Sequence, residues 1–143
     1  MRKGVISMKF TISGELPDLN TYIKAERGNK YAAAKLKKKA TEKVMLSIQK
    51  TTKIPSPFKL IIAYYCKNKR KDKDNIAFAK KFILDGLQKR GTITGDGWKD
   101  VKYWHELFYI DKDNPRIEVV IWESWILRHR DEATSYISNA NYL

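Results

Sequence analysis

The sequence predicts a single α+β domain, with about four strands in a mixed sheet and two main helices. Three observations predict it. Strand-like apolar runs recur at four places. Apolar residues recur at helical spacing in two stretches between them. A length of 143 residues with 43% hydrophobic content suits one core.

Met8 to Ser13 alternates Phe10 and Ile12 with Lys9, Thr11 and Ser13, the period of a strand with one buried face. Gly14 to Asn20 carries Gly, Pro, Asp and Asn and reads as a loop. Tyr31 to Lys50 reads as a helix, because Ala33, Leu36, Ala40, Val44 and Ile48 fall on one face and Lys37, Lys38, Lys39 and Lys43 largely on the others. A Pro-punctuated loop, Thr51 to Pro57, leads into Phe58 to Cys66. That run is apolar at nearly every position, as expected of a central strand covered on both faces. A charged connector, Lys67 to Asp74, precedes a second helix over Asn75 to Lys89, with Ile76, Ala79, Phe82, Ile83 and Leu87 turned inward. Glycines mark a turn over Gly91 to Gly97. Asp100 to Ile110 is a strand, Asp113-Asn114-Pro115 turns the chain, and Arg116 to Trp122 is the last strand, with Ile117, Val119 and Ile121 on one face. The core thus runs over about 8–123. Residues 124–143 form an extension, in which 125–140 has the pattern of a terminal helix.

Twenty-nine Lys+Arg against sixteen Asp+Glu give a net charge of +13. Such a surface repels itself, and a polyanion relieves the repulsion, so nucleic acid is the leading partner. The charge is clustered. Residues 27–53 hold nine basic residues and one acid, Glu42, and Lys67, Lys69, Arg70, Lys71 and Lys73 form a second group. Several phosphate contacts of this kind suffice for sequence-independent binding through counterion release. A merely solvated lysine face is the other reading. The lone Cys66 excludes an intramolecular disulfide and a Cys-based zinc site, and reads as a small buried hydrophobe. No apolar stretch reaches a membrane span and the N-terminus lacks a secretory signal, so a reducing cytoplasm is the expected location.

The most informative segment is Arg70-Lys71-Asp72-Lys73-Asp74-Asn75. In an extended chain Asp72 and Asp74 point to one face about 6.6 Å apart. Carboxylates so spaced can hold a hard divalent cation such as Mg²⁺, which keeps several of its waters. Asp96, between Gly95 and Gly97, is a third candidate. Carboxylates inside a basic surface suit phosphodiester hydrolysis, in which bases hold phosphate and a metal activates water. The alternative reading makes Asp74 a helix cap, Asp72 a solvated partner of Lys71 or Lys73, and Asp96 an ordinary turn residue.

These residues carry a family resemblance. Arg70-Lys71-Asp72-Lys73-Asp74-Asn75, then Lys80 to Leu87 with Asp85-Gly86-Leu87, then Gly91 to Asp96, resembles the RusA family of Holliday junction resolvases. The family's pattern is D-x-D-N, a lysine, D-A/G-L and a turn carrying D or D-D. Leu16-Pro17-Asp18-Leu19-Asn20 looks like its early L-P-x-x-N segment. The resemblance covers roughly Lys9 to Glu123. It implies a RusA-like fold and a homodimeric, Mg²⁺-dependent endodeoxyribonuclease of prophage type, with Mn²⁺ able to substitute. The enzyme would resolve four-way DNA junctions in recombination and repair, leaving 5′-phosphate and 3′-hydroxyl ends. Asp72, Asp74 and Asp96 would be the catalytic metal ligands. Lys81, or Lys80, would steady phosphate charge. Lys69, Arg70, Lys71 and Lys73, with Lys35, Lys38 and Lys39 on the first helix, would track the DNA backbone.

Two positions depart from the pattern. Phe78 stands where the family's lysine follows the second aspartate by four residues, and Gly95 stands where a second turn acid is common. Lys81 can equally pair with Asp85 one helical turn on. Asn20 can position backbone or shape a turn. Trp98, Tyr103 and Trp104 can stack on an unpaired base or pack in the core or a dimer contact. His105, among aromatics in a strand, reads as structural. A flap or fork nuclease, and a non-catalytic DNA- or RNA-binding protein, are the rival functions.

Overall fold

The computed structural model describes residues 6–124. The terminal helix expected over 125–140 lies outside them. Eight elements follow in order: β1 (Ser7–Ser13), α1 (Leu19–Gly28), α2 (Lys30–Ser47), β2 (Phe58–Cys66), α3 (Lys73–Ala77), α4 (Lys80–Lys89), β3 (Val101–Ile110) and β4 (Arg116–Glu123). The strands form one sheet in the order β1-β4-β2-β3. β1 and β2 each run antiparallel to β4, and β2 runs parallel to β3 across the α3–α4 crossover. The fold is therefore α+β with a mixed four-stranded sheet.

β2 is central, as its two-faced apolar pattern predicts. Leu60, Ile62 and Tyr64 join the main core with Val44 of α2 and Phe82, Ile83 and Leu87 of α4. Ile61, Ala63 and Tyr65 form a smaller cluster on the other face with Val120 and Trp122. α2 crosses α4 closely. A Cβ on Gly86 would lie 2.5 Å from Val44 Cγ1, so the D-G-L glycine is required by helix packing.

Two helical details differ from the sequence expectation. Leu19–Gly28 is a helix, although Leu19 and Asn20 look like loop residues. It buries no residue fully, so its apolar stripe is weak, and Asp18 starts it by accepting from Thr21 N at 2.8 Å. The second helix is also divided. At Phe78 and Ala79 the bonds shorten to three-residue spacing: Ala79 N donates to Ile76 O, Lys81 N to Phe78 O and Phe82 N to Ala79 O. Phe78 is held at this joint against Phe82 and Tyr22, with ring centroids 5.6 and 5.2 Å away.

The connection from β3 to β4 crosses the end of β2, where Asp111 N donates to Cys66 O at 2.8 Å. Arg116 then fastens this end. Its Nε bonds Glu118 Oε2 and its Nη1 bonds Asp111 Oδ2, each at 2.8 Å, and its guanidinium lies 3.8 Å from the Tyr65 ring centroid. Gly14 N donates to Pro115 O at 2.8 Å, tying the loop after β1 to the same end of the sheet.

Candidate metal and nucleic-acid site

The D-x-D-N segment stands just beyond the C-terminal end of β2. Asp72 occupies the N-cap position of α3 in extended conformation but makes no side-chain cap bond. Asp74 lies in the first turn, where its Oδ1 accepts only from the adjacent Asn75 N at 2.9 Å. Both carboxylates are exposed, and among the described residues neither joins an ion pair. The pairing of Asp72 with Lys71 or Lys73 is therefore not formed, whereas Asp74 does satisfy one free amide of the first turn, as its cap reading expects.

Lys71 is committed elsewhere. Its Nζ meets Asp18 Oδ2 at 2.8 Å and Glu15 Oε1 at 4.0 Å. Burial alone would raise the Asp18 carboxyl, but hydrogen bonds from Lys71 and Thr21 prevail and hold it below the usual carboxylate value. The bond to Asp18 correspondingly raises Lys71, against its partial burial. A second bond joins the same two segments: Asn20 N donates to Asn75 Oδ1 at 2.9 Å. The L-P-x-x-N and D-x-D-N stretches, which are distant in sequence, are thus one local structure. Asp18 is the residue that sequence reasoning missed here, and its signal was the Asp18-x-x-Thr21 cap spacing.

Asp96 is not brought to this place. It is exposed in the turn that precedes β3, and β3 begins beside the first residue of β2, with Phe58 opposite Val101. The two ends of β2 stand about 26 Å apart at ~3.3 Å per residue. Among the described residues no three His, Cys, Asp or Glu side chains converge as a metal-holding group. Asp100 organises the turn. It is buried, and it accepts from Ser56 Oγ at 2.8 Å and from Gly97 N at 3.0 Å. A Cβ on Gly95 would lie 2.7 Å from Asp100 Oδ2. A second acid at position 95 would thus meet a carboxylate already in place, which accounts for the glycine.

The lysines divide into engaged and available ones. Lys80 Nζ bonds Glu106 Oε1 at 2.8 Å and lies 4.3 Å from the Trp104 ring centroid. The same carboxylate accepts from Tyr64 OH at 2.9 Å. Burial, followed by the charge of Glu106, pushes the Tyr64 phenol upward and keeps it neutral. Lys80 is thereby held against β3 by partners that no sequence spacing reveals. Lys81 shares Asp85 Oδ2 with Lys37 of α2, at 4.0 and 3.8 Å. The i,i+4 pairing is the contact it makes, and that contact turns it toward α2. Lys73 Nζ lies 5.6 Å from the Phe108 ring centroid.

Lys69 and Arg70 are exposed beside Asp72, and Lys35, Lys38 and Lys39 are exposed on α2. Lys35, Lys39 and Lys43 line an open groove of about 430 Å³ floored by Leu36, Ala40 and Pro17. Of the remaining candidates, His105 stacks on Tyr103 at 6.4 Å, consistent with a structural role. Cys66 is buried, which raises its thiol above the ordinary value and disfavours the thiolate. No helix among the described residues is long and apolar enough to cross a membrane.

Asp72 is the N-cap of α3 and Asp74 its second residue, so the extended one-face spacing expected from the sequence does not hold. Both stay exposed beside Lys69, Arg70 and Lys73, and a hydrated Mg²⁺ takes only one or two protein carboxylates. Compared with known proteins, the chain matches no family model and no curated protein.

Proposed function

We propose that this protein is a divalent-metal-dependent endonuclease for branched DNA, acting as a twofold dimer in the manner of RusA-like junction resolvases. One observation carries the reading. Asp72 and Asp74 are exposed, pair with no cation among the described residues, and lie beside Lys69, Arg70 and Lys73 on a segment stapled to the L-P-x-x-N loop. Asp74 spends one oxygen on Asn75 N, and the carboxylate oxygens left over in so basic a surface have an evident chemical use.

In this reading Asp72 and Asp74 hold the cation. The metal, when bound, supplies Lewis-acid stabilisation of the phosphoryl group and lowers the pKa of a coordinated water. Lys69, Arg70 and the α2 lysines bind and orient the phosphate backbone. Asp18 and Lys71 do not touch substrate; they fix the connector that aims the two carboxylates. Asp96 joins the site from a second copy, because its own sheet end is too remote. β3 is an edge strand, and antiparallel pairing of two β3 edges about a twofold axis would set each Asp96 turn near the partner's Asp72–Asp74 segment. Two equivalent sites related by that axis match the two strands that must be cut in a four-way junction.

The test is cleavage of a labelled synthetic four-way junction beside duplex, flap and fork controls, with Mg²⁺ or EDTA. Paired, symmetric, Mg²⁺-dependent nicks are expected. Cutting of flaps or forks alone would keep the metal site and replace the substrate. Tight, salt-sensitive binding with no cutting in Mg²⁺ or Mn²⁺ would make the protein a non-catalytic binder.

A further inference from the structure

Trp98 is 102% exposed, while every other described tryptophan packs at least half its surface. Its exposure is built into the turn. Buried Asp100 spends one carboxylate oxygen on Ser56 Oγ and the other on Gly97 N, and Asp100 N and Val101 N both return to Gly97 O at 3.0 Å. The loop before β2 is tied to the same turn by Ile54 N donating to Thr92 O at 2.8 Å. The backbone of the turn is therefore pinned, and the indole projects from it into solvent. The segments beside it carry more cations than anions: Lys99 and Lys102 follow it in the chain, Lys53 precedes the Ile54 that bonds Thr92 O, all three are exposed, and Asp96 is the exposed acid of the turn.

We propose that Trp98 is a stacking platform for an unpaired base of branched or single-stranded DNA. An indole face accepts any base, and lysines beside it hold the flanking phosphates, so the pair of features recognises an unstacked nucleotide without reading its identity. Fully paired duplex offers no free base face and gains nothing from the residue. The inference rests on the nucleic-acid reading above and extends it: the turn that carries Asp96 would also distinguish a branch point from ordinary duplex.

Binding is measured in EDTA by anisotropy of a labelled single strand, a four-way junction and a linear duplex, for wild type, Trp98→Ala and Trp98→Phe. Because the side chain is exposed, neither variant loses core packing. Trp98→Ala is expected to bind the single strand and the junction about tenfold more weakly and the duplex unchanged, and Trp98→Phe to keep most of the affinity. Affinities for all three ligands unchanged from wild type in Trp98→Ala, or an equal loss on duplex, would overturn the proposal. So would a shift of Trp98→Ala to monomer in sedimentation, which would make the residue a dimer contact. Wild type that cuts junctions while Trp98→Ala binds normally refutes the stacking role alone. Wild type that binds no DNA refutes it together with the proposed function. Trp98-dependent binding without any cutting supports the platform and removes the nuclease.

Discussion

Asp74→Asn is expected to lower Mg²⁺-dependent junction cleavage by about a thousandfold while leaving the fold and DNA binding intact. The magnitude follows from removing one of the three charged ligands: metal stabilisation of the transition state amounts to several kcal/mol, and each 1.36 kcal/mol is a factor of ten in rate. The fold is spared because Asp74 is exposed and gives only Oδ1 to Asn75 N, an acceptor that asparagine retains. Binding holds or tightens, since one negative charge leaves a surface that meets a polyanion. The comparison needs single-turnover cleavage and binding in EDTA on the same preparations. Cleavage within tenfold of wild type would move the metal away from the D-x-D-N segment.

The largest effect expected on stability is at Arg116. Arg116→Met should lower the free energy of unfolding by about 3 kcal/mol, near 10 °C in Tm. Arg116 is 8% exposed, and its guanidinium serves Glu118, Asp111, Asn114 O and the Tyr65 ring together. Methionine replaces the volume over Tyr65 but withdraws the charge that meets Glu118 at 2.8 Å; Glu118 is 2% exposed, and the Lys9 ammonium stands farther off, at 3.9 Å. Adding Glu118→Gln to the variant should recover part of the loss, because the charge left behind is then gone. Urea midpoints of the two variants decide it. A cost under 1 kcal/mol would mean that Glu118 finds other compensation. The network matters beyond stability, since it closes the sheet end from which the Asp72–Asp74 segment departs.

Much of this fold is legible in the residues themselves. Phe58–Cys66 reads as a central strand because its apolar residues occupy both faces, and α2 reads from Ala33, Ala40 and Val44. α1 is hidden because it buries nothing fully, so helical periodicity has little to register. The joint at Phe78 is hidden because it depends on ring packing with Tyr22, a partner 56 positions away in the numbering. At the site, residue types are legible and separations are not. Asp72, Asp74 and Asp96 stand within 25 positions of one another in the sequence, yet the parallel β2–β3 pairing sends Asp96 to the opposite end of the sheet. The resemblance makes Lys81, or Lys80, a phosphate ligand; in the structure Lys80 meets Glu106, and Lys81 meets Asp85 as its i,i+4 spacing allows. Glu106 comes from another strand, and no local pattern announces it.

The most direct test is complementation between two inactive variants. Asp74→Asn and Asp96→Asn are co-expressed, and the mixed dimers are assayed for nicking of a four-way junction in Mg²⁺. If each site takes Asp72 and Asp74 from one copy and Asp96 from the other, a mixed dimer carries one doubly altered site and one intact site. Random pairing makes about half the dimers mixed, so about a quarter of the wild-type sites should return. The product should be single nicks in place of paired cuts. Wild-type-like failure to separate the variants, or a mixture as inactive as either variant alone, would contradict a metal site shared between two copies of this chain.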